Sequence, residues 1–236
     1  MTRARVGAVA AQGINLARPL PHPEVPLAVA PTHPVTILVQ GGIASGKSTV
    51  GRLLTDRGAT LLDCDRIAHE ALAEPAVEAA VREAFGAGVA GPDGRIDRRA
   101  LGRVVFDDPA ALARLEALVH PRVRERVQAA LAALRPDDAG RRPVAVIDAA
   151  VASKMRLLDG GDYDVVVFVD VEPETRRRRA LERGWASGEL ERREARQESL
   201  TVLRDRADVV IPNDGDLREA ESHVERVWSE FVEPRR

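Results

Sequence analysis

The sequence predicts a three-layer α/β/α fold, in which helices cover both faces of a parallel sheet of about five strands. Five short, continuous apolar runs rich in β-branched residues are typical of strands that are buried on both faces. Segments with helical patterns separate these runs, which is the order expected when helical crossovers join parallel strands. The predicted strands are 35–39, 59–63, 143–148, 163–170 and 207–211.

The overall composition restricts the possible functions. The chain has 236 residues, 44% of them apolar, which is enough for one large domain with a real core. Its formal net charge of -2 argues against general nucleic-acid binding and against polybasic membrane binding. A single cysteine, Cys64, excludes an internal disulfide and fits a reducing compartment. We therefore expect a cytoplasmic protein with no nucleic-acid or membrane partner. We also expect a monomer or weak homo-oligomer that acts on a small molecule, although composition alone determines neither property.

The first 34 residues are predicted to form a proline-rich, disordered leader. Six prolines fall between positions 19 and 34, and such a segment forms neither a helix nor a central strand. A signal peptide is the alternative for the extreme N-terminus, but Gln12 and Gly13 interrupt its short apolar stretch. The folded domain is predicted to span 35–236.

The gap between the second and third predicted strands indicates an inserted subdomain. A crossover in a βαβ unit needs about a dozen residues, whereas about eighty residues of mostly helical pattern separate Asp63 from Pro143. We predict a helical substrate-binding insert at 66–135, placed over the carboxyl ends of the strands, where open α/β sheets bind ligands. The core would then comprise 35–65 and 142–236.

A phosphate-binding loop is predicted at 41–48, where "GGIASGKS" matches G-x-x-x-x-G-K-[ST] in full, after a strand and before a helix over 47–56. Glycines let backbone N–H groups turn inward around phosphate oxygens, and the helix N-terminus adds partial positive charge. Lys47 would reach the β and γ phosphates, and Ser48 would ligate Mg²⁺. These features predict a P-loop NTPase-type fold. The predicted nucleotide contacts are Gly41, Gly42, Ile43, Ala44, Ser45, Gly46, Lys47, Ser48 and Thr49.

Three aspartates follow predicted strands at the same edge of the sheet. Asp148 ends the third strand and is either a second Mg²⁺ ligand or the N-cap of a following helix. Asp63 and Asp65 follow the second strand, where one carboxylate could orient an acceptor hydroxyl and take its proton. A turn or N-cap role is the alternative for one of these two. His69 is interpreted as a surface or packing residue.

The arginine-rich segment 171–197 is predicted to contain a helical lid at about 179–197. Lid arginines can neutralise charge on a transferring phosphoryl group, but most arginines here are expected to form exposed pairs with glutamates. No Asn-Lys-x-Asp guanine signature is present. A small P-loop chain with an insert and such a lid is therefore interpreted as a small-molecule kinase that uses ATP and Mg²⁺.

Several of these segments together resemble the dephospho-coenzyme A kinase family, from Val35 to about Val232. The phosphate loop and the Asp-x-Asp segment belong to this resemblance, and two segments of the insert are specific in combination. The segments are "GGIASGKSTV", "LLDCDRIAHEAL", "DGRIDRRALGRVVFDDP", "LEALVHP", "VEPETRRRRALERG", "RREARQ" and "RADVVIPNDGD".

The resemblance implies an activity and several residue roles. The implied reaction transfers the γ-phosphoryl group of ATP to the ribose 3′-hydroxyl of dephospho-coenzyme A, with Asp65 as the catalytic base and the insert as the acceptor site. It implies that Asn213 lies near the adenine. The arginines that it aligns with the lid of the family are Arg179, Arg183 and Arg193.

Some positions depart from the family pattern. Ala44 stands where glycine is usual, and the segment 149–154 is degenerate, with Ala150 in place of proline and Lys154 in place of glutamate. Lys154 would reverse a charge beside the site. Two alternatives therefore remain, which are a nucleotide or nucleoside kinase of similar build and a catalytically weakened ATP-binding paralogue.

Overall fold

The structure is a computed structural model that describes residues 33–106, 108–149, 157–158, 163–195 and 197–236. Nearly all of the predicted leader lies outside the described residues, and so do Ala150 and Lys154.

The predicted parallel sheet is confirmed. Within the described part of the chain, five parallel strands form one sheet in the order β2-β3-β1-β4-β5. The first strand lies at the centre, flanked by β3 and β4, and all seven of its residues are buried. The loop after β1 therefore opens in the middle of the carboxyl edge of the sheet. The strands are β1 Val35–Gly41, β2 Thr60–Asp63, β3 Val144–Asp148, β4 Val165–Asp170 and β5 Val209–Pro212.

Helices connect these strands. The first part of the predicted insert forms two helices and not one, because Pro75 lacks the N–H that a continuous helix would need and instead begins a new helix. No described helix is both long and apolar enough to cross a bilayer. The described helices are α1 Lys47–Asp56, α2 Cys64–Leu72, α3 Pro75–Phe85, α4 Arg98–Phe106, α5 Pro109–Ala133, α6 Pro173–Glu182, α7 Glu189–Glu194, α8 Leu200–Asp205 and α9 Leu217–Val227.

Short helical turns complete the elements. A 3₁₀ turn, Ala87–Val89, lies between α3 and α4. A π-helical segment, Trp228–Val232, continues α9 and leads into a final 3₁₀ turn, Glu233–Arg235.

The core is divided between the two faces of the sheet. Side chains of adjacent strand residues point to opposite faces, so Leu38 packs with the helices of the insert, whereas Ile37 and Val39 pack with α1 and α9. Complete burial of one such aliphatic side chain contributes about 1.5–3 kcal/mol. The helices α2 to α5 thus share a hydrophobic core with β1, β2 and β3, which fixes them beside the carboxyl edge of the sheet.

Candidate active site

The loop between β1 and α1 depends on two glycines and one unusual alanine. Gly41 has φ 150°, and a Cβ there would lie 2.6 Å from the carbonyl oxygen of Val169 on β4. Gly46 precedes α1 with φ 91°. Ala44 has φ 61°, in the left-handed region that favours glycine. Glycine would adopt this backbone conformation with less strain than the alanine at position 44.

Lys47 folds back across the loop. Its Nζ donates hydrogen bonds to the carbonyl oxygens of Gly41, at 3.1 Å, and of Gly42, at 3.0 Å. Burial lowers the pKa of Lys47, while the negative charges of Asp148 and Asp65 oppose that effect. A desolvated ammonium held at the mouth of a phosphate loop gains most from a negatively charged ligand.

The carboxylates lie at the ends of adjacent strands. Asp148 is in register with Asp63 of β2 on one side and with Val39 of β1 on the other. Asp65 lies in the first turn of α2. The carboxylate of Asp63 accepts a hydrogen bond from the backbone N–H of Arg66, at 2.9 Å, and so caps α2. Asp63 is therefore the aspartate that fills the N-cap role, which leaves the Asp65 carboxylate outside the cap.

The environment raises the pKa values of two of these acids. Asp65 reaches solvent in the open cleft, yet desolvation by the surrounding protein raises its pKa, and repulsion from Asp63 adds to this. Desolvation likewise raises the pKa of Asp148, with Lys47 acting in the opposite direction. Carboxylates that are destabilised in this way near a cation are typical of functional clefts.

The oxygen atoms at this edge fit a hard divalent cation. Ser48 is an exposed residue in the first turn of α1, and Asp148 ends β3, the strand next to β1. Among the described residues, no group of three or more His, Cys, Asp or Glu side chains could hold a metal by itself. Mg²⁺ on a nucleotide needs only one or two protein oxygens, because water and phosphates supply its other ligands. The donor set is thus compatible with Mg²⁺ bound together with a nucleotide.

A cavity in the insert opens beside Asp65. It has a volume of about 270 Å³ and lies among α2, α4 and α5. One face of α2 lines it, through Asp65, Ala68, His69 and Leu72. His69 is exposed, as expected for a surface residue, and it also faces this cavity. The spacing i, i+3, i+4 and i+7 was the available signal for this face.

A second cavity, of about 300 Å³, lies on the other side of the loop, beside α9. Gly46, Thr49, Arg183 and Asn213 are among its lining residues. The amide Nδ2 of Asn213 donates a hydrogen bond to the carbonyl oxygen of Ser45, at 2.7 Å. The loop therefore separates a cavity near α9 from one in the insert. Three of the predicted loop contacts, Ala44, Gly46 and Thr49, line the cavity near α9.

The three predicted lid arginines have different surroundings. The guanidinium of Arg179 donates to the carbonyl oxygens of Asn213, at 2.7 Å, and Ser45, at 3.4 Å. Arg183 caps α6, and its positive charge contributes to lowering the pKa of Lys47, after the larger effect of burial. Arg193 pairs with Glu189 at 2.7 Å and lies over the ring of Trp185, 4.3 Å from its centroid. Two of the three thus lie at the loop, while the contacts named for Arg193 are within the predicted lid.

Sequence reasoning missed Arg176, which is only 6% exposed. Its neighbour Arg177 forms an exposed pair with Glu191, at 3.0 Å, as expected for this segment. Arg176 instead pairs with Glu194 and lies against Gly42 of the loop. Within a run of four arginines, nothing in the sequence indicates which one is buried.

Replacing Gly46 with alanine is expected to weaken ATP binding by about tenfold or more, since a perturbed loop loses its aligned N–H donors. An added Cβ would lie 2.3 Å from Nδ2 of Asn213, and φ 91° is strained for any residue with a side chain. Calorimetric titration with ATP measures the loss. Gly58→Ala is the control, because Gly58 also has positive φ, 96°, but no atom within 4 Å of an added Cβ. Equal affinity losses in both variants would mean that backbone strain alone matters.

Comparison with known proteins agrees with this geometry. A model of the dephospho-CoA kinase family matches residues 35–219, which include the loop, the insert and the lid segment. The dephospho-CoA kinase of Geobacter sulfurreducens is 42% identical over 191 residues, which cover 80% of this chain and 94% of that protein. The chain belongs to the dephospho-CoA kinase family. The resemblance inferred from the sequence motifs is thereby confirmed.

Other members and solved structures extend this result. The dephospho-CoA kinase of Streptomyces avermitilis is 42% identical over 199 residues, covering 81% of this chain and 91% of that protein. The crystal structure of TT1252 from Thermus thermophilus has a TM-score of 0.71 and 34% identity, covering 85% of this chain and 99% of that one. Dephospho-CoA kinase from Campylobacter jejuni shares the fold, with a TM-score of 0.54 at 22% identity over 84% of this chain and 97% of that one. The P-loop kinase fold predicted from the sequence is therefore confirmed.

Proposed function

We propose that this protein transfers the γ-phosphoryl group of ATP to the ribose 3′-hydroxyl of dephospho-coenzyme A. The observation that carries the proposal is the position of Asp65. This carboxylate lines the cavity of the insert and also interacts electrostatically with Lys47 of the loop. An acceptor hydroxyl bound beside Asp65 would therefore approach a nucleotide held by the loop.

The ATP site is assigned to the loop and to the cavity near α9. The loop amides and Lys47 hold the phosphates, with the cation on the β and γ groups. Asn213 lines that cavity and supports the loop through Ser45, which suits a place near the adenine. Arg179 and Arg183 lie at this site and neutralise phosphate charge, and Arg193 joins them when the lid closes.

Mg²⁺ is assigned to Ser48 and Asp148. When bound with ATP, the ion supplies positive charge that offsets the negative charge of the phosphates. In this chain, Ser48 contributes its hydroxyl oxygen from α1, and Asp148 contributes a carboxylate oxygen from the end of β3. The positive charge of Lys47 lowers the pKa of Asp148 and partly offsets the effect of desolvation. It therefore favours the ionised carboxylate that binds a metal ion.

Asp65 is assigned as the base. Its carboxylate accepts a hydrogen bond from the 3′-hydroxyl and takes the proton as the bond to phosphorus forms. A pKa raised by desolvation brings its basicity closer to that needed at neutral pH. Arg98, at the start of α4, lines the same cavity and has no ion pair with another described residue. Its charge suits the phosphates of an acceptor such as dephospho-coenzyme A.

The activity is tested by a coupled ADP-release assay with ATP and Mg²⁺. We expect turnover with dephospho-coenzyme A that exceeds turnover with nucleosides or nucleoside monophosphates by about 10³-fold or more, since those acceptors leave the insert's polar groups unpaired. Mass spectrometry of the product should show one added phosphate, which a 3′-nucleotidase removes. Faster turnover with a nucleoside or its monophosphate would refute the assignment of substrate, and ATP binding without any transfer would identify a weakened paralogue.

A further inference from the structure

A buried arginine connects the phosphate loop with the predicted lid. Arg176 lies in α6, and its Nε donates to the carbonyl oxygen of Val171, at 3.3 Å, just after β4. Its Nη1 pairs with the carboxylate of Glu194, the last residue of α7. Arg176 is only 6% exposed, so its charge has little access to water. Glu194 compensates that charge by direct pairing, and the more distant carboxylates of Asp170 and Glu191 add favourable electrostatic interactions.

The same guanidinium lies directly against the loop. A Cβ added to Gly42 would be 2.9 Å from Nη1 of Arg176 and 3.2 Å from its Cδ. The carbonyl oxygen of Gly42 in turn accepts a hydrogen bond from Nζ of Lys47, at 3.0 Å. A continuous series of contacts therefore leads from Glu194 through Arg176 and Gly42 to Lys47.

We propose that Arg176 is a positioning residue, which transmits the position of α7 to the phosphate loop through its ion pair with Glu194. A buried guanidinium that loses its carboxylate must move toward water or find another acceptor. Either movement withdraws the side chain that packs on Gly42, and the loop loses its support. Docking of α7 and the ATP-binding shape of the loop are thereby coupled, although Glu194 belongs to neither the loop nor the proposed Mg²⁺ site.

A second ion pair provides a matched control. Arg177 and Glu191 also join α6 to α7, at 3.0 Å, but their side chains are 50% and 51% exposed. An exposed pair contributes little to stability. Glu191→Gln therefore removes one carboxylate from the same helix as Glu194→Gln, with the same change in net charge. Glu191 acts on Arg176 only through its charge, and its hydrogen bond goes to Arg177, so this variant breaks no direct contact of Arg176.

The experiment measures ATP affinity by calorimetry for Glu194→Gln, Arg176→Gln, the double variant and Glu191→Gln. We expect about tenfold weaker ATP binding in Glu194→Gln and in Arg176→Gln. The double variant should bind ATP at most about twofold more weakly than either single variant, because both substitutions break the same ion pair. Glu191→Gln should bind ATP as the wild type does. The direction of the change in ATP affinity for Glu194→Gln distinguishes the two explanations. Simple loss of a nearby negative charge would strengthen ATP binding, whereas loss of the ion pair with Arg176 should weaken it.

Several results would overturn the inference. These are unchanged or tighter ATP binding by Glu194→Gln, independent losses that multiply in the double variant, and an equal loss in Glu191→Gln. Should Glu194→Gln unfold at the assay temperature, Glu194→Asp and Glu191→Asp give the same comparison with the charge retained, and only Glu194→Asp should bind ATP more weakly. ATP binding needs no acceptor, so failure here is distinguishable from failure of the proposed acceptor, which the turnover assay reports.

Discussion

Replacing Lys47 with alanine is expected to lower phosphoryl transfer by at least about 10²–10³-fold, which is the usual loss when one preorganised charge-stabilising donor is removed. Lys47 begins α1, and its ammonium crosses the loop to the carbonyl oxygens of Gly41 and Gly42. Without it, the β and γ phosphates lose a compact cation that the nearby arginines cannot replace from their positions. The effect should be larger on kcat than on ATP affinity, because negative charge on the leaving group increases during transfer.

The fold of this variant should survive. Burial lowers the pKa of Lys47, so its removal also relieves a desolvation penalty and offsets the two lost hydrogen bonds. Steady-state kinetics and a thermal melt measure both effects. Arg57→Ala is the control at the other end of α1, where Arg57 pairs with Glu225 at 2.6 Å, and it should retain turnover. Near wild-type turnover in a folded Lys47→Ala protein would refute the assignment of the phosphate loop.

Replacing Asp65 with asparagine is expected to lower turnover by about 10²–10⁴-fold while ATP affinity changes little. The amide keeps the shape and one acceptor oxygen of the carboxylate but lacks its basicity. Asp65 lines the insert cavity, not the cavity near α9, so the loss should fall on the chemical step. Steady-state kinetics with dephospho-coenzyme A, together with titration of ATP, separate the two effects.

The pH dependence gives an independent signature of Asp65. Desolvation and Asp63 raise its pKa, so the active, ionised base is lost as pH falls through a value above that of an ordinary aspartate. The wild-type profile of kcat/KM should therefore decline on the acid side, and the small remaining activity of Asp65→Asn should lack that decline. Because the folded state holds this proton more tightly, Asp65 opposes folding once it is ionised. Asp65→Asn should thus be at least as stable as the wild type at neutral pH.

Asp63→Asn is the matched control, two residues away. Asp63 caps α2 through the N–H of Arg66, and asparagine serves as an N-cap almost as well as aspartate. This variant should keep most of its turnover, and its acid decline should move to lower pH, because Asp63 no longer repels the ionised Asp65. If Asp63→Asn lost turnover while Asp65→Asn kept full turnover, Asp63 would be the base and the assignment of Asp65 would be wrong. If neither variant loses turnover, the base is another residue.

The sequence by itself determined the class of fold, the phosphate loop and the family. Continuous β-branched runs predicted all five strands to within about two residues at each end, and "GGIASGKS" specified a strand, a nest of N–H groups and a helix. These features can be predicted from the sequence because each depends only on residues that are close together along the chain. Backbone conformation at glycine, the period of apolar residues and the spacing of a motif are local properties.

Only the tertiary structure decided which charged side chains are buried and which carboxylates meet. Asp63 and Asp148 are far apart along the chain, and only the pairing of β2 with β3 sets them side by side. The insert cavity exists because α2, α4 and α5 pack together, and the run of arginines in α6 gave no sign that Arg176 is the buried one. Burial of a charge depends on a partner supplied by a distant segment, here Glu194 of α7, and no local pattern in the sequence encodes that partner.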